Sequence, residues 1–456
     1  MKKTILIIFA CAMAQLAWAQ STMKLGVAEC RSMALESSED MKKAENDELQ
    51  AQLTQKVAQN ARLPRVSASA NGMYMFPDLE MMGTTFAMPG AYTAGLVLTQ
   101  PLYVGGKITS GIKLAKVGVE ASKHKTELQR RDVIYNADNA YWTFVAVREQ
   151  RKMLDGILTF VQAMRERVQL SVDAQLTTKA DLLRVDSKLS DVKYQIERAT
   201  NGLEMCRMNL CSVTGLPMNT AIEPIDTLPE VTAPQAWRYD SNQGESLTMS
   251  RPEYKLLEKQ IEAADLQIKQ IRADYLPTLA FTAGYAFFGN MKMTSMVADG
   301  MGGYFPYSTT INKNVGQLML SLNIPILNWG ESSKKIKAQR LVKQNAELDL
   351  QKNARLMNIE LTNARQNVES AYTMFLTAKS GLAHAEEALR VMRDRYEVGM
   401  CTLTDILEAQ SAYQQARTNV IEATTQFKIH ESNYTRITTP KGKMWDKQVI
   451  TKLPPL

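Results

Sequence analysis

The amino-acid sequence predicts an α+β membrane protein made mainly of long α-helices in coiled-coil hairpins, with two β-hairpins that supply four strands to a trimeric twelve-strand barrel. Three observations support this fold class. Long stretches carry apolar residues at alternating steps of three and four, short stretches alternate apolar and polar residues, and this order of segments occurs twice. The sequence therefore predicts an internal tandem repeat.

The 456 residues have an ordinary composition for a folded chain, with 45% hydrophobic and 22% charged residues. A basic start, an apolar run and a small-residue end predict a secretory signal peptide over residues 1–19. After it, no apolar run approaches the roughly 20 residues that a membrane helix requires. The net charge of +7 is spread out, and the densest basic run, 334–337, has no interleaved aromatic residues, so no nucleic-acid partner is expected.

The first structural repeat, predicted over residues 22–215, begins with a helix and a β-hairpin and ends with a long helical hairpin. Proline and glycine residues mark the ends of these elements, and the two helices of the hairpin show three-and-four spacing. The predicted elements are a helix from Met23 to Arg62, a strand over 66–76, a loop from Pro77 to Gly90, a strand over 92–99 that Pro101 ends, a helix to about Val172, a turn over 173–181 and a return helix to Val213.

A Pro-rich, aperiodic linker is predicted over residues 216–247, followed by the second repeat over 248–439 and a C-terminal tail over 440–456. The second repeat has the same elements but a longer loop between its strands, from Gly289 to Asn314. The two helical hairpins align without a gap, because equivalent residues lie 224 positions apart throughout. Equivalent pairs are Pro101 and Pro325, Gln175 and Gly399, Asp181 and Asp405, and Val213 and Ile437.

The longest apolar seam runs from Leu350 to Tyr396 without a missed step, and after a short turn it resumes from Ile406 to Ile437. Steps of three and four place these residues on one helix face, and many of them are small, as in closely packed coiled coils. At about 1.5 Å per residue, an unbroken helix from Gly330 to Gly399 would be a rod roughly 100 Å long. Such a rod is expected to bury its seam against other rods.

Each predicted strand has about ten residues and one apolar face, which is the length and pattern of a tilted strand that crosses a bilayer. Four strands cannot close a barrel, so their edges are expected to pair with other copies of the chain. Three copies would supply twelve strands. A soluble β-sandwich is the alternative, but it leaves the long helices unexplained.

Residues that could support catalysis or bind a cofactor are scattered along the chain. The three histidines show no catalytic spacing, and the four cysteines after the signal peptide form no disulfide or metal pattern. No enzyme activity, cofactor or metal site is expected. Methionines near the loops between strands leave a metal-ion efflux duct as a minor alternative, since thioethers bind Cu(I). They are Met73, Met75, Met81, Met82, Met88, Met291, Met293, Met296 and Met301.

The order of elements, repeated after a Pro-rich linker, resembles the TolC family of outer-membrane efflux proteins over roughly residues 22–440. Local patterns support it: Tyr-Glu-Val-Gly at 396–399, Thr-Asp-Ile-Leu-Glu-Ala-Gln at 404–410 and Thr-Lys-Ala-Asp-Leu-Leu-Arg at 178–184. The resemblance implies a homotrimer with a barrel in outer-membrane lipid and a helical tunnel in the periplasm, acting as an exit duct for small molecules or proteins. It also implies two partners, a periplasmic adaptor (membrane fusion) protein and an inner-membrane transporter.

The resemblance also implies roles for residues at the helix tips. Asp405 and Glu408 would form carboxylate rings that narrow the entrance, while Tyr396 and Asp181 would belong to the contact that holds it shut. The turns would dock the adaptor through Val398, Gly399, Met400, Gln175 and Leu176.

The tips also depart from the family pattern. Gln175 stands where the family usually has glycine, Cys401 replaces a basic residue and Ala180 replaces a hydroxyl residue, so a second gate link is expected to be missing. Two interpretations of the tip carboxylates stay open: like charges crowded in a ring would bind cations, or acidic residues stabilise the first turn of a helix through its dipole. A periplasmic coiled-coil adaptor is the alternative function, against which the four strands argue.

Overall fold

The computed structural model describes residues 23–74, 76, 79–81, 84–87, 90–228, 231, 241–298 and 303–438. The predicted signal peptide and the predicted C-terminal tail lie outside these residues. The chain forms two compact units. The helical unit comprises the described residues of Met1–Asn46, His124–Lys255 and Gln351–Leu456, and the sheet unit comprises those of Asp47–Lys123 and Leu256–Leu350.

The first repeat starts with a short strand and two helices, continues with an antiparallel hairpin and ends with a pair of long helices. In chain order these elements are β1 (Met23–Leu25), α1 (Val27–Ser37), α2 (Glu39–Asn60), β2 (Arg65–Met73), β3 (Leu79–Met81), β4 (Thr84–Ala87), β5 (Ala91–Val104), α3 (Lys107–Asp173) and α4 (Lys179–Thr214).

The second repeat follows the same plan and confirms the predicted duplication. Its long helices have the same lengths as those of the first repeat, 67 and 36 residues, and their boundaries lie 224 positions later. The elements from the linker onward are β6 (Ile222–Pro224), α5 (Ser241–Ser250), α6 (Pro252–Ala273), β7 (Thr278–Ala298), β8 (Tyr304–Asn323), α7 (Glu331–Glu397) and α8 (Leu403–Thr438).

In α7 every buried residue lies on the predicted apolar seam, whereas in α8 several buried residues, among them Gln410, Ile421 and Thr424, lie beside the predicted seam. A buried leucine or phenylalanine contributes about 1.5–3 kcal/mol, so a continuous seam outweighs the modest helix propensity of any single residue. In α7 the buried seam residues are Met357, Leu361, Ala364, Val368, Ala371, Phe375 and Leu389.

The sheet unit contains an antiparallel sheet in which the four long strands are ordered β2-β5-β7-β8. Among the described residues, β2 and β8 each leave one edge unpaired. The registers place apolar side chains of all four strands on one face, and these side chains are exposed in the single chain. They are Val66, Leu96, Tyr285, Leu318, Leu320 and Leu322. The predicted alternation of strands with one apolar face is therefore confirmed.

Three boundaries predicted for the sheet are wrong. Pro101 does not end β5, which continues to Val104 past a register shift between Pro101 and Tyr103. The predicted loop from Gly289 to Asn314 is mostly strand, because β7 and β8 pair from Ala298 and Tyr304 onward. The predicted loop from Pro77 to Gly90 contains β3 and β4, which extend the sheet along β7. The extra strand residues were not predicted because threonine and asparagine residues interrupt the apolar alternation there. Such residues do not prevent strand pairing.

The N-terminal helix predicted from Met23 to Arg62 is also wrong in part. Residues Met23–Leu25 form β1, which pairs in parallel with β6, and a break at Ser38 separates α1 from α2. The segment predicted as an aperiodic linker supplies β6 and the start of α5. Because β1 and β6 lie far apart in the sequence, their pairing depends on the folded helices around them.

Two buried polar side chains, Asp138 and Tyr141, form hydrogen bonds that connect separate segments of the helical unit. Asp138 of α3 is fully buried and accepts hydrogen bonds from Arg31 Nε at 2.6 Å and Nη2 at 2.8 Å, and from the Ser432 hydroxyl. Tyr141 donates a hydrogen bond of 2.6 Å to Asp226 from the linker segment. A buried carboxylate without its partners is strongly destabilising, so these contacts specify where α1 and α8 lie against α3.

No helix among the described residues is both long enough and apolar enough to cross a membrane.

Candidate functional site

The two hairpin turns, one between α3 and α4 and the other between α7 and α8, lie together in the helical unit. One apolar cluster contains residues of all four helix ends and holds them in contact. Its buried members are Leu154, Ile157, Val161, Met164, Val168, Val185, Val192, Ile196, Leu389, Leu403 and Ile406. The seams therefore bring the two predicted tip regions to a single site.

Both turns have the same backbone conformation. Two residues after the end of the helix before each turn, the backbone has a left-handed φ, 61° at Gln175 and 75° at Gly399. Gln175 thus adopts the conformation that favours glycine, and the first turn keeps its shape without one. The closing hydrogen bonds run from Leu176 N to Ser171 O and from Met400 N to Arg395 O, each 2.8 Å long.

Asp405 stabilises the first turn of α8. Its Oδ2 accepts hydrogen bonds from the backbone N–H and the hydroxyl of Thr402, both at 2.8 Å, and its own N–H donates to the Thr402 hydroxyl at 3.3 Å. This reciprocal arrangement is a capping box. The two bonds to Thr402 lower the pKa of the Asp405 carboxyl. The structure thus supports the helix-start interpretation for Asp405 in the single chain.

Asp181 is the equivalent residue at the start of α4. Its Oδ2 accepts hydrogen bonds from the hydroxyls of Thr177 at 2.7 Å and Thr178 at 3.0 Å, and Arg184 lies 3.5 Å from Oδ1. The two threonine hydroxyls lower the pKa of Asp181, and the positive charge of Arg184 acts in the same direction. Asp181 is therefore ionised at neutral pH and held within its own turn.

Tyr396, the predicted gate partner of Asp181, is half-buried at the edge of the tip cluster. Burial raises the pKa of its hydroxyl, and the charge of Asp181 raises it further. Within the described part of the chain, no hydrogen bond joins the two side chains. The Tyr396 hydroxyl is nevertheless close enough to the Asp181 carboxylate for its pKa to be affected. The hydrogen bonds of that carboxylate go to Thr177 and Thr178 instead.

Glu408 is exposed and lines an open groove beside the second turn. Arg184 holds the equivalent position 224 residues earlier and lines the same groove, where its Nη1 donates a hydrogen bond of 3.2 Å to the Thr404 hydroxyl. Lys188 and Asp191 also line it. The predicted entrance carboxylate therefore faces basic groups of the first repeat in its own chain.

The predicted docking residues are the exposed apolar points of the two turns. Leu176 is 81% exposed and Met400, its equivalent in the second repeat, is 77% exposed; Val398 is exposed as well. The left-handed residues before Leu176 and Met400 turn these side chains away from the shared cluster. Each tip therefore exposes apolar side chains.

Two contacts across the tips were not predicted from the sequence. Arg167 of α3 forms an ion pair with Glu397 of α7 at 3.0 Å, and Arg184 bonds Thr404 as described above. The Arg167 and Glu397 side chains are 57% and 48% exposed. Their partners lie more than two hundred residues away, and no local pattern signals such pairs.

Among the described residues, side chains that could bind a metal ion are not grouped together. None of their His, Cys, Asp and Glu side chains form a group of three or more that could hold a metal ion. The four described cysteines are free thiols, and burial raises the pKa of Cys30 to about 12. Of the methionines near the strand loops, Met75, Met82, Met88 and Met301 lie outside the described residues.

Sequence comparison gives a family. The outer membrane efflux protein profile matches residues 30–215 and 245–438. The chain is similar to the outer membrane efflux protein BepC of Brucella suis biovar 1 (strain 1330), with 20% identity over 369 residues that cover 80% of this chain and 75% of BepC. It is also similar to the outer membrane protein TolC of Escherichia coli (strain K12), with 22% identity over 393 residues that cover 82% of this chain and 74% of TolC.

A solved structure has the same fold. The Campylobacter jejuni CmeC outer membrane channel superposes with a TM-score of 0.77 over 93% of this chain and 88% of that one, at 16% identity.

Proposed function

The chain belongs to the outer membrane efflux protein family, and on that premise we propose how its own residues form and control an exit duct. Its function is that of a non-enzymatic efflux channel in the outer membrane. TolC-family channels work as trimers within efflux systems that include an adaptor and an inner-membrane pump. The similarities favour the channel over the periplasmic adaptor that the sequence left as the alternative.

The open sheet, with its four long strands, carries the proposal for this chain. It exposes a broad apolar face, and the edges of β2 and β8 have no partner among the described residues. Lipid would cover the apolar face, and β8 of one copy would pair with β2 of the next, because an unpaired edge is not tolerated inside a bilayer. Three copies close a barrel of twelve strands, and their long helices continue it as a tunnel in the periplasm.

The oligomeric state tests this assembly. Light scattering of the detergent-extracted mature protein, with the detergent contribution subtracted, is expected to give a mass of three chains. A monomer that stays folded in detergent would leave the sheet edges unpaired and would contradict the barrel.

We further propose that Glu408 and Asp405 act at the duct entrance, with Tyr396 and Asp181 in the contact that closes it. Glu408 is exposed, and Asp405 uses one carboxylate oxygen for its capping box. Around a threefold axis these acids would attract cations, while Arg184 in the same groove would weaken that attraction. The entrance is therefore set by a balance of charges from both repeats.

Single-channel recording in planar bilayers tests the entrance. Glu408→Ala with Asp405→Ala is expected to weaken block by divalent cations, whereas Arg184→Ala is expected to strengthen it. Glu197→Ala, an acidic residue of α4 away from the turns, is the matched control. If neither the double variant of Glu408 and Asp405 nor Arg184→Ala changes conductance or cation block, these residues do not line the entrance.

The adaptor and the inner-membrane transporter would meet the duct at the two turns. Leu176, Val398 and Met400 supply exposed apolar side chains there, next to Gln175 and Gly399. In a host that lacks its own copy of the channel, Leu176→Ser with Met400→Ser is expected to abolish complementation of efflux while trimer levels stay normal. Met374→Ser, at an exposed apolar residue in the middle of α7, is the control. Full complementation by the tip variant would contradict docking at the turns.

A further inference from the structure

A cavity of about 560 Å³ lies between α3, α7 and α8 within the helical unit. Ile157 and Leu389, two buried members of the tip cluster, also line this cavity, so it adjoins the apolar core of the tips. Charged and aromatic side chains form the rest of its wall. A cavity of this size holds a small organic molecule, and the mixed lining provides both apolar and polar contacts.

Gln410 of α8 lines the cavity and is only 2% exposed. Within the described part of the chain, no hydrogen bond satisfies its side-chain amide. A buried amide without a partner is unfavourable for folding, and most buried polar groups are paired. The amide carries two donor hydrogens and one acceptor oxygen, all of which can bind a polar group that enters the cavity.

The first repeat has a polar residue at the same position but satisfies it. Asp186 is the equivalent of Gln410, 224 positions earlier, and it accepts a hydrogen bond of 2.6 Å from Arg165 Nε. The equivalent of Arg165 in the second repeat is Leu389, which is buried and apolar. The second repeat therefore keeps a polar side chain next to the tip cluster without the arginine that satisfies it in the first.

The charges around the cavity favour an anion. Two of its acidic residues are paired, Glu149 with Arg148 at 3.0 Å and Glu387 with Arg390 at 2.6 Å, which leaves Glu386. Three basic residues of the wall have no ion-pair partner among the described residues. They are Lys152, Arg393 and Arg417. Three positive charges thus face one negative charge, and such an excess attracts negatively charged molecules.

Aromatic side chains stand among these charges. The guanidinium carbon of Arg393 lies 5.0 Å from the centroid of the Phe160 ring, and Tyr413 lines the same cavity. A guanidinium stacked on a ring keeps its N–H groups free in the ring plane, where they can bind both oxygens of a carboxylate. The faces of Phe160 and Tyr413 offer apolar surface to a planar molecule.

We propose that this cavity binds organic anions that carry a carboxylate on a planar, apolar body. Arg393 and Arg417 bind the carboxylate, Phe160 and Tyr413 contact the planar body, and the Gln410 amide binds a hydroxyl group on that body. All of these residues belong to the helical unit, so the site does not depend on how the sheet lies in a membrane.

Equilibrium dialysis tests the site with the full mature protein in lipid nanodiscs, after subtraction of binding to empty nanodiscs. The probe is 6-hydroxy-2-naphthoate. Replacing Arg393 and Arg417 together by glutamine is expected to weaken its binding roughly tenfold, because two charge-assisted hydrogen-bonding groups are lost. Arg198→Gln is the matched control, since Arg198 is an exposed arginine of α4 that does not line the cavity.

Two analogues separate the parts of the site. We expect 2-naphthol, which lacks the carboxylate, to bind roughly tenfold more weakly than the probe. Probe binding no greater than in empty nanodiscs would overturn the proposal and would fit a cavity filled by a neighbouring copy. Equal binding of 2-naphthol would also overturn it, because the site would then select apolar surface rather than an anion.

Gln410→Leu distinguishes a ligand-binding amide from a structural one. It is expected to weaken binding of 6-hydroxy-2-naphthoate about fivefold and to leave binding of 2-naphthoate, which lacks the hydroxyl, unchanged. The same substitution should slow amide exchange over residues 410–417, because it removes an unpaired buried amide. Faster exchange, with an equal loss of binding for both probes, would show that Gln410 only supports the fold and would overturn its role in the site.

Discussion

The two turns at the helix tips share a backbone but differ in the side chains that hold it. Both have a left-handed residue, the same closing hydrogen bond, an exposed apolar residue and an aspartate three residues inside the next helix. The second turn uses Gly399, and Asp405 bonds Thr402 reciprocally. The first turn uses Gln175, and Asp181 accepts hydrogen bonds from two threonine hydroxyls.

This difference shows what duplication preserves. The turn geometry is kept because both hairpins must end at the same level to share one apolar cluster. The charges have diverged, since Arg184 of the first repeat corresponds to Glu408 of the second. Equivalent positions thus face one groove with opposite charges.

The largest expected effect comes from exchanging the left-handed residues. Gly399→Gln is expected to destabilise the second turn by about 1–2 kcal/mol, which corresponds to roughly tenfold faster amide exchange over residues 395–405. Gln175→Gly is expected to slow exchange in the first turn only slightly, because the flexibility of glycine in the unfolded chain offsets the relief of strain. Equal effects of opposite sign in the two turns would contradict this asymmetry.

Removing the threonine caps compares the two helix starts. Thr402→Ala removes the hydroxyl of the capping box and is expected to destabilise the first turn of α8 by about 1 kcal/mol. Thr178→Ala should have a smaller effect on α4, because Thr177 still donates to Asp181. Hydrogen exchange of the first-turn amides measures both, with Thr373→Ala in the middle of α7 as the control. An equal loss of stability at the first turns of α4 and α8 would show that Thr177 does not compensate for the missing Thr178 hydroxyl.

Acidification is expected to loosen both helix starts together. The folded-state pKa values of Asp181 and Asp405 are lowered, so their stabilisation is complete above the unfolded-state pKa and is lost as pH falls through the folded-state value. Hydrogen exchange, corrected with an unstructured peptide, should therefore accelerate in these turns below about pH 4. Asp405→Asn should remove the pH dependence from the second turn alone. A pH-independent second turn in the natural protein would be inconsistent with the capping role of Asp405.

The smallest expected effect concerns the ion pair between Arg167 and Glu397. Both side chains are about half exposed, so a double-mutant cycle with Arg167→Ala and Glu397→Ala should give a coupling free energy below about 1 kcal/mol. The coupling should fall as salt is added. A larger, salt-insensitive coupling would mean that the assembled trimer buries this pair.

Several features were predictable because a local pattern carries them. The seams identified the buried residues of α7, and the constant spacing of 224 residues identified the duplication with matching helix boundaries. The strand alternation identified the apolar face of the sheet. Asp181 and Asp405 were found as a pair of equivalent tip residues, and the helix-start interpretation of their chemistry needed only the threonine that precedes each.

The sequence by itself determined the four long helices, the register between the two repeats and the face that each long strand turns outward, because these depend on periodicity within one segment. Tertiary structure alone decided that Met23–Leu25 pairs with β6, that Gln175 adopts a left-handed φ and that Arg167 meets Glu397. Such features depend on residues brought together by the packed helices. A short strand or a strained turn has no stability of its own, so its sequence holds no signal until the partners that stabilise it are in place.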